Sequence, residues 1–409
     1  MKRVVITGVG ALSPLGHDWP VVRARLREER NVVQYIKEWD EYEGLNTRLG
    51  TRVAPFDLPS HYNRKVTRSM GRVALLGTLA SERALADAGL TGDSLVTSGD
   101  MGISYGSSVG SPAAICDFGN MISRKTTEGI NANTYIRMMS HTAAVNIGVF
   151  LGITGRIIPT SSACTAGSQG VGYAFETIQS GRQIAMLAGG SEELDVTDAA
   201  VFDTLFATSV SNEAPHLSPR PFDAERDGLV LGEGACTLVL EELEHAQARG
   251  ARILGEIIGF GTNSDGTHVT QPNARTMAQA MHQALHCAQL PPEAIAYINA
   301  HGTATEHGDI AESNAVQQVF GSKTPISSLK SYMGHTLGAC GALEAWMSLE
   351  MMRDGWFAPT VNLRNVDPRC GELDYIGPGG RSLDTDLVMS NNFAFGGINT
   401  SLILRRWAV

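Results

Sequence analysis

The residues best suited to chemistry begin with Cys164, in the run Arg156-Ile-Ile-Pro-Thr-Ser-Ser-Ala-Cys-Thr-Ala-Gly-Ser-Gln-Gly170. Ile157 and Ile158 favour a strand, small residues break it, and Val171, Ala174, Phe175 and Ile178 then recur at helical spacing until Ser180-Gly181. Cys164 is therefore expected at a strand-to-helix turn, at the positive end of a helix dipole, where a thiol pKa falls and the nucleophilic thiolate is favoured. Ser161, Ser162, Ala163, Ala166 and Gly167 leave room for a substrate. A buried structural cysteine is the competing reading. A thiolate that transfers acyl groups also needs imidazoles to move or stabilise charge, and backbone N–H groups to hold an oxyanion. Three loops could supply them: Asn299–Asp309 with His301, Leu329–Ala339 with His335, and Ser390–Asn399 with the Gly396-Gly397 turn. His301, His307 and Asp309 also read as metal ligands, although His-x5-His-x-Asp matches no common zinc spacing.

The elements that must position these groups follow a repeated order. Val4–Gly10 reads as a buried strand running into a glycine turn. Its G-x-G is a weak dinucleotide signal, because Ser13 stands where the third glycine belongs and no acid-ended second strand follows. A helix is expected from about Arg72 to Gly89, then strands Met101–Tyr105, Ile184–Gly190 and Ala235–Glu241, with Ser218–Gly228 as a polar connecting loop. The plan then starts again. Gly255–Ser264 echoes Val4–Ser13, and a helix from about Thr276 to Gln289 precedes the strand Ile295–Ala300. Pro325–Lys330, a glycine turn and a helix from about Ala339 to Arg353 echo the Cys164 unit, and Leu387–Ser390 and Ser401–Leu404 close the second half. Two β-α-β-α-β-β units in tandem predict an α/β protein with two sheets in layers and helices between and outside them. The halves are expected at residues 1–250, carrying the cysteine, and 251–409, carrying both histidines.

Composition narrows the function classes. The formal charge of −10 over 409 residues argues against a nucleic-acid binder. Six cysteines without a C-x-x-C pair suit a reducing compartment better than a disulfide framework or a zinc site. No run of 18 apolar residues is present to span a membrane, and no apolar signal region follows Met1, so a cytoplasmic location is expected.

Taken together, Ser161-Ser-Ala-Cys164, His301-Gly-Thr-Ala-Thr305 with Asp309, Lys330 before Gly334-His335, Phe395-Gly-Gly-Ile-Asn399 and Phe222–Gly228 resemble the β-ketoacyl-acyl-carrier-protein synthases. These are the condensing enzymes of fatty-acid and type II polyketide synthesis, and the resemblance runs over nearly the whole chain. It implies a thiolase-like fold with a five-layered α-β-α-β-α core, a homodimer or a heterodimeric partner, and no metal or cofactor. Substrates would arrive on the phosphopantetheine of an acyl carrier protein. Carried over by position, Cys164 would hold the acyl chain, His301 and His335 would serve the decarboxylation, and the N–H groups of Cys164 and Phe395 would hold the oxyanion. Lys330 and Glu344 would support the histidines, and Thr303 and Thr305 would bind pantetheine. Phe395 would gate entry, Phe202 would line the pocket, and Gly106, Val109 and Met139 would set its depth, Met139 from the partner subunit. Arg64, Lys65 and Arg68 with Arg124 and Lys125 would dock the carrier; without the resemblance they read as solvated helix faces.

Some positions depart from the family pattern. Ala304 and Glu306-His307 stand where family members read Ser and Pro, Met333 where Thr is usual, and Ala394 and Ile398 where the gate turn has Gly and Thr. Ala394 is expected to stiffen that gate by restricting positive φ. These changes bear on substrate choice between ordinary fatty-acid elongation and an aryl-polyene or polyketide line. A biosynthetic thiolase is the first alternative, but the C-terminal turn holds no second cysteine. A chain-length partner is the second, and such partners lose the nucleophile that Cys164 supplies here.

Overall fold

The strands at the centre are buried along their whole length, as happens when both faces of a sheet are covered. Every residue of β2 (Met101–Gly106) and β4 (Ala185–Glu192) is buried. In the computed structural model, which describes residues 1–408, these two pair in parallel with each other, and β2 pairs in parallel with β3 (Ile157–Pro159). On the other side β4 pairs antiparallel with β5 (Gly234–Glu242), and β5 with β1 (Val4–Leu12).

The second half repeats this order strand for strand. β7 (Tyr297–Asn299) and β8 (Pro325–Ser327) are parallel neighbours, and β7 pairs in parallel with β9 (Leu387–Ala394). β9 then pairs antiparallel with β10 (Ile398–Arg406), and β10 with β6 (Gly255–Ser264). The first strands of the two sets also pair, Val4–Ile6 against Gly255–Ile257, so the hydrogen bonding runs on through 11 strands where two separate sheets were expected. β7 is shorter than the expected Ile295–Ala300.

Helices α3 (Ala166–Gln179) and α6 (Cys340–Asp354) pack on each other and on strands of both sets. Helices α1 (Arg72–Asp87) and α2 (Thr142–Leu151) cover the first set from outside. Helix α4 (Ala274–Ala288) does the same for the second, and α5 (Glu306–Phe320) packs beside α4 and shares an apolar cluster with β7 and β8. This is the five-layered arrangement that the family resemblance implied.

The G-x-G of the first strand has a packing purpose, and the same purpose explains its echo. A Cβ on Gly10 would lie 2.0 Å from the Ala80 carbonyl oxygen of α1, and one on Gly261 would lie 2.0 Å from the Ala280 carbonyl oxygen of α4. In each half the outer helix lies directly on the glycine pair of its first strand. Overpacking such contacts costs about 1–3 kcal/mol. Gly10→Ala and Gly261→Ala should each lower the thermal unfolding midpoint; midpoints equal to the parent's would mean that these helices can retreat freely.

Candidate active site

Each chemical group sits where a strand gives way to a loop or helix. Cys164 lies in a tight turn, Ala163–Thr165, between β3 and α3. Ala163 is held at φ 52, a left-handed conformation that costs a non-glycine residue about 1–2 kcal/mol. His335 follows the short Lys330–Met333 helix in the corresponding place of the second half, before α6. Its backbone N–H donates to the Val230 carbonyl at 2.7 Å. His301 follows β7, and the Glu312 carboxylate on α5 accepts the N–H groups of His301 and Gly302, each at 2.7 Å.

These loops bring the Cys164 sulfur and one nitrogen from each histidine within 4.8 Å of one another, all buried. The imidazole rings meet edge to face with centroids 5.1 Å apart. By contrast, His301, His307 and Asp309 do not assemble as metal ligands. Asp309 is committed to the N–H groups of Phe222 and Ala304, at 2.7 and 3.1 Å, and faces Arg226 at 3.4 Å. Arg226 also binds Asp367 at 2.8 Å. The Ser218–Gly228 segment is thus no solvated connector: Phe222 and the Arg226 side chain are buried, and they brace the turn that carries Thr303 and Thr305.

Burial sets the protonation of the site. It holds His301 and His335 well below the ordinary histidine range, with the Lys330 ammonium acting in the same direction, so both rings are neutral near pH 7. Burial also pushes Cys164 up to about 11, although Lys330 and the backbone N–H groups of Phe395 and Cys164 itself pull the other way. The expected fall in thiol pKa is therefore overturned: removing the sulfur from water outweighs the helix terminus. Burial likewise works against charge on Lys330, yet Glu344 at 2.5 Å keeps that amine protonated, above its usual range. Glu344 further accepts Asn392 Nδ2 at 2.8 Å and Asn299 Nδ2 at 3.4 Å. The same Asn392 Nδ2 lies 3.5 Å from His301 Nδ1.

A cavity of about 560 Å³ opens onto Cys164, and its wall includes His301, His335, Thr303, Thr305, Phe202 and Phe395. The threonine hydroxyls bond each other at 2.9 Å, and the Phe202 and Phe395 rings lie 5.1 Å apart. Gly396 and Gly397 take positive φ of 91 and 73 in the turn after Phe395, whereas Ala394 is an ordinary strand residue. The stiffening expected from Ala394 has no basis, because no left-handed conformation is required there. Gly106, Val109 and Met139 are not in the wall of this cavity within one chain: Gly106 is buried at the end of β2, and Val109 and Met139 are half-buried. Arg64, Lys65, Arg68, Arg124 and Lys125 are all exposed and away from the cavity wall.

Sequence reasoning passed over Asn392, Glu312 and Cys340. Asn392 could have been found by strand alternation, since it shares a face with Ser390, which accepts from Asn299 at 3.2 Å. Glu312 lies among Asp309, Ser313 and Val316 on the buried face of α5. Cys340 Sγ donates to the Cys164 carbonyl at 3.3 Å, a contact with no local signal.

Models of the β-ketoacyl synthase N-terminal domain and C-terminal domain match residues 1–246 and 254–364. The chain belongs to the β-ketoacyl synthase family, a class of condensing acyltransferases. It is 36% identical over 411 residues to 3-oxoacyl-[acyl-carrier-protein] synthase 1 of Escherichia coli (strain K12), covering 99% of each chain. The crystal structure of a β-ketoacyl synthase from Burkholderia phymatum STM815 superposes with a TM-score of 0.98 at 58% identity, covering 100% of both chains. A type II polyketide ketosynthase, solved with its acyl-carrier protein and bound to the hexaketide, superposes at 0.86 with 30% identity and 100% coverage of both chains.

A thiol held near 11 gains thiolate about tenfold per pH unit below that value. Alkylation of Cys164 by iodoacetamide, followed by peptide mass spectrometry, should accelerate steadily from pH 7 to 9. A plateau near pH 7 would mean that the helix terminus dominates after all.

Proposed function

We propose that the protein is a 3-oxoacyl-[acyl-carrier-protein] synthase that joins a malonyl unit to an acyl chain held as a thioester on Cys164, with loss of CO2. The observation that carries this reading is the buried thiol with two neutral imidazoles inside 4.8 Å, and with the N–H groups of Cys164 and Phe395 facing its sulfur. In the first stage the thiol proton passes to a neighbouring imidazole as sulfur attacks the incoming thioester carbonyl. The resulting oxyanion takes hydrogen bonds from the Cys164 and Phe395 N–H groups, and the pantetheine thiol leaves with the proton. Removing one such donor costs about 3–4 kcal/mol of transition-state stabilisation in comparable sites.

In the second stage malonyl thioester loses CO2, and the electron pair of the broken C–C bond becomes an enolate. His301 and His335 can donate N–H hydrogen bonds to that enolate because both are neutral and carry a ring proton. The nearby Asn392 amide favours a bare Nδ1 on His301, leaving its proton on Nε2. Lys330 and Glu344 hold this protonation pattern as a buried ion pair. The enolate carbon attacks the Cys164 thioester, the carbonyl re-forms, and the sulfur leaves as a thiolate that takes up one proton from solvent to restore the thiol. The carbon nucleophile comes from decarboxylation, so this sequence calls for neither metal nor cofactor.

Thr303 and Thr305 would bind the pantetheine arm in the cavity, Phe395 would gate it and Phe202 would face the acyl chain. Gly106, Val109 and the partner subunit's Met139 would bound the chain's far end. A homodimer suits the exposed apolar groups on one edge of the fold, where Ile157 of edge strand β3 is 40% exposed and Val149 of α2 is 78% exposed. In a chain of net charge −10, an acidic carrier needs a local positive patch, and Arg64, Lys65, Arg68, Arg124 and Lys125 offer one. A cytoplasmic setting accords with six free cysteines and with the lack, among the described residues, of any helix long and apolar enough to cross a membrane.

Cys164→Ala should lose all acyl loading and all condensation while keeping the parent's circular dichroism and oligomeric state. Elongation by that variant would remove the mechanism. Lys65→Glu with Arg68→Glu should weaken binding of an acidic carrier at low salt by about tenfold; unchanged affinity would move the docking surface elsewhere.

A further inference from the structure

The cavity that leads to Cys164 has an apolar rim that the mechanism above does not use. Leu205, Phe206 and Val269 all belong to its wall, yet they are 45%, 89% and 69% exposed. Among the described residues, no large apolar side chain other than Met1 is more exposed than Phe206. The wall includes a single lysine or arginine, Arg226. That side chain is 2% exposed and already paired with Asp309 and Asp367. An acidic partner at this mouth therefore meets apolar groups and no free guanidinium or ammonium.

Backbone geometry fixes Phe206 in this place. Its N–H donates to the Asp203 carbonyl at 2.9 Å, and the Ala207 N–H donates to the Phe202 carbonyl at 3.0 Å, which together close the helix Val196–Asp203. This pair of bonds is a common helix stop built on one left-handed residue, and glycine is its usual occupant. Phe206 holds that position at φ 53, a strained conformation for a residue with a Cβ. The same helix end carries Phe202, which is buried with its ring centroid 5.1 Å from that of Phe395. One short element thus sets both an inner and an outer phenylalanine of the cavity. Backbone strain and an aromatic ring left in water each weaken the free chain, and such costs gather where a protein works on something else.

We propose that this rim seats the body of the carrier protein: Phe206, with Leu205 and Val269 on the same rim, receives an apolar patch of the carrier beside the point where its pantetheine arm is attached. The proposal rests on the carrier-borne acyl-thioester reading given above. The arm is covalently tied to the carrier, so delivering a thioester to Cys164 draws the carrier against the mouth of the cavity. What holds it there is apolar contact, because the wall offers no free cation to an acidic surface. Covering a ring as exposed as Phe206 removes apolar area from water, and buried aromatic side chains carry much of the energy of an interface. The two kinds of contact divide the work. Arg64, Lys65 and Arg68 steer the carrier by charge, and Phe206 retains it once it has arrived.

The test is the rate at which the intact protein takes an octanoyl group onto Cys164, followed by mass spectrometry, from two donors: octanoyl on the Escherichia coli acyl carrier protein, and octanoyl-pantetheine. The parent should prefer the carrier donor. Phe206→Gly should lower the second-order rate from the carrier by about tenfold and leave the rate from pantetheine within about twofold. Phe206→Leu, which keeps an apolar side chain, should fall between that variant and the parent. The loss in Phe206→Gly should persist at about 0.5 M salt, where the loss caused by Lys65→Glu with Arg68→Glu fades. Its thermal unfolding midpoint should equal or exceed the parent's, since glycine relieves the left-handed strain. An equal fall with both donors would set Phe206 against the arm and not the carrier, and overturns the proposal. An unchanged carrier rate, a lowered midpoint or an altered oligomeric state in Phe206→Gly overturns it as well. If neither donor loads Cys164 in the parent, the acyl-thioester reading itself falls; loading from pantetheine with no preference for the carrier removes this surface alone.

Discussion

The site exists because two helices touch where they have no side chains. A Cβ on Gly341 of α6 would stand 2.4 Å from the Ser168 nitrogen of α3, and one on Gly167 would stand 2.8 Å from the Gly338 carbonyl oxygen. Contact this close draws the beginnings of both helices together. The turn before α3 carries Cys164 and the loop before α6 carries His335, so a glycine-to-serine contact decides whether sulfur meets imidazole. A side chain at either glycine would have to push these helices apart.

Duplication then supplies different chemistry at equivalent places. The strand order β3-β2-β4-β5-β1 recurs as β8-β7-β9-β10-β6, with the same pattern of parallel and antiparallel neighbours. The loop after β3 presents a thiol; the loop after β8 presents Lys330 and His335. The loop after β7 adds His301, and the turn after β9 adds Phe395 and its backbone N–H. A symmetric scaffold therefore surrounds one asymmetric centre, and each reacting group is anchored by a strand end and not by a free loop.

Charge inside this centre is kept in balance. Lys330 has Glu344, Arg226 has Asp309 and Asp367, and the histidines stay neutral beside the ammonium. Cys164 is held as a thiol, because burial outweighs the Lys330 ammonium and the backbone N–H groups that favour its charged form. The acids at Glu192 and Asp198 stand outside that balance, with no cation paired to either and an oxygen of each left without a partner.

Much of this was open to reading from residues in order. Periodicity placed α1, α3, α4 and α6 to within a few residues, and the echo of Val4–Ser13 in Gly255–Ser264 announced the duplication. Cys164, His301, His335 and the Gly396-Gly397 turn stood out because each lies in a run of small residues after an apolar strand. Local pattern carries such information because helix and strand periods, turns and stops depend on neighbours in the chain. It could not show that the glycines of β1 exist to admit an outer helix, that Phe222 and Arg226 are interior, or that Asn392 and Cys340 attend the histidine and the thiol. Those facts depend on contacts between residues about 70 to 176 positions apart. Nor could it show that burial raises the Cys164 pKa against the helix terminus, since desolvation is a property of everything packed around an atom and only the folded chain determines it.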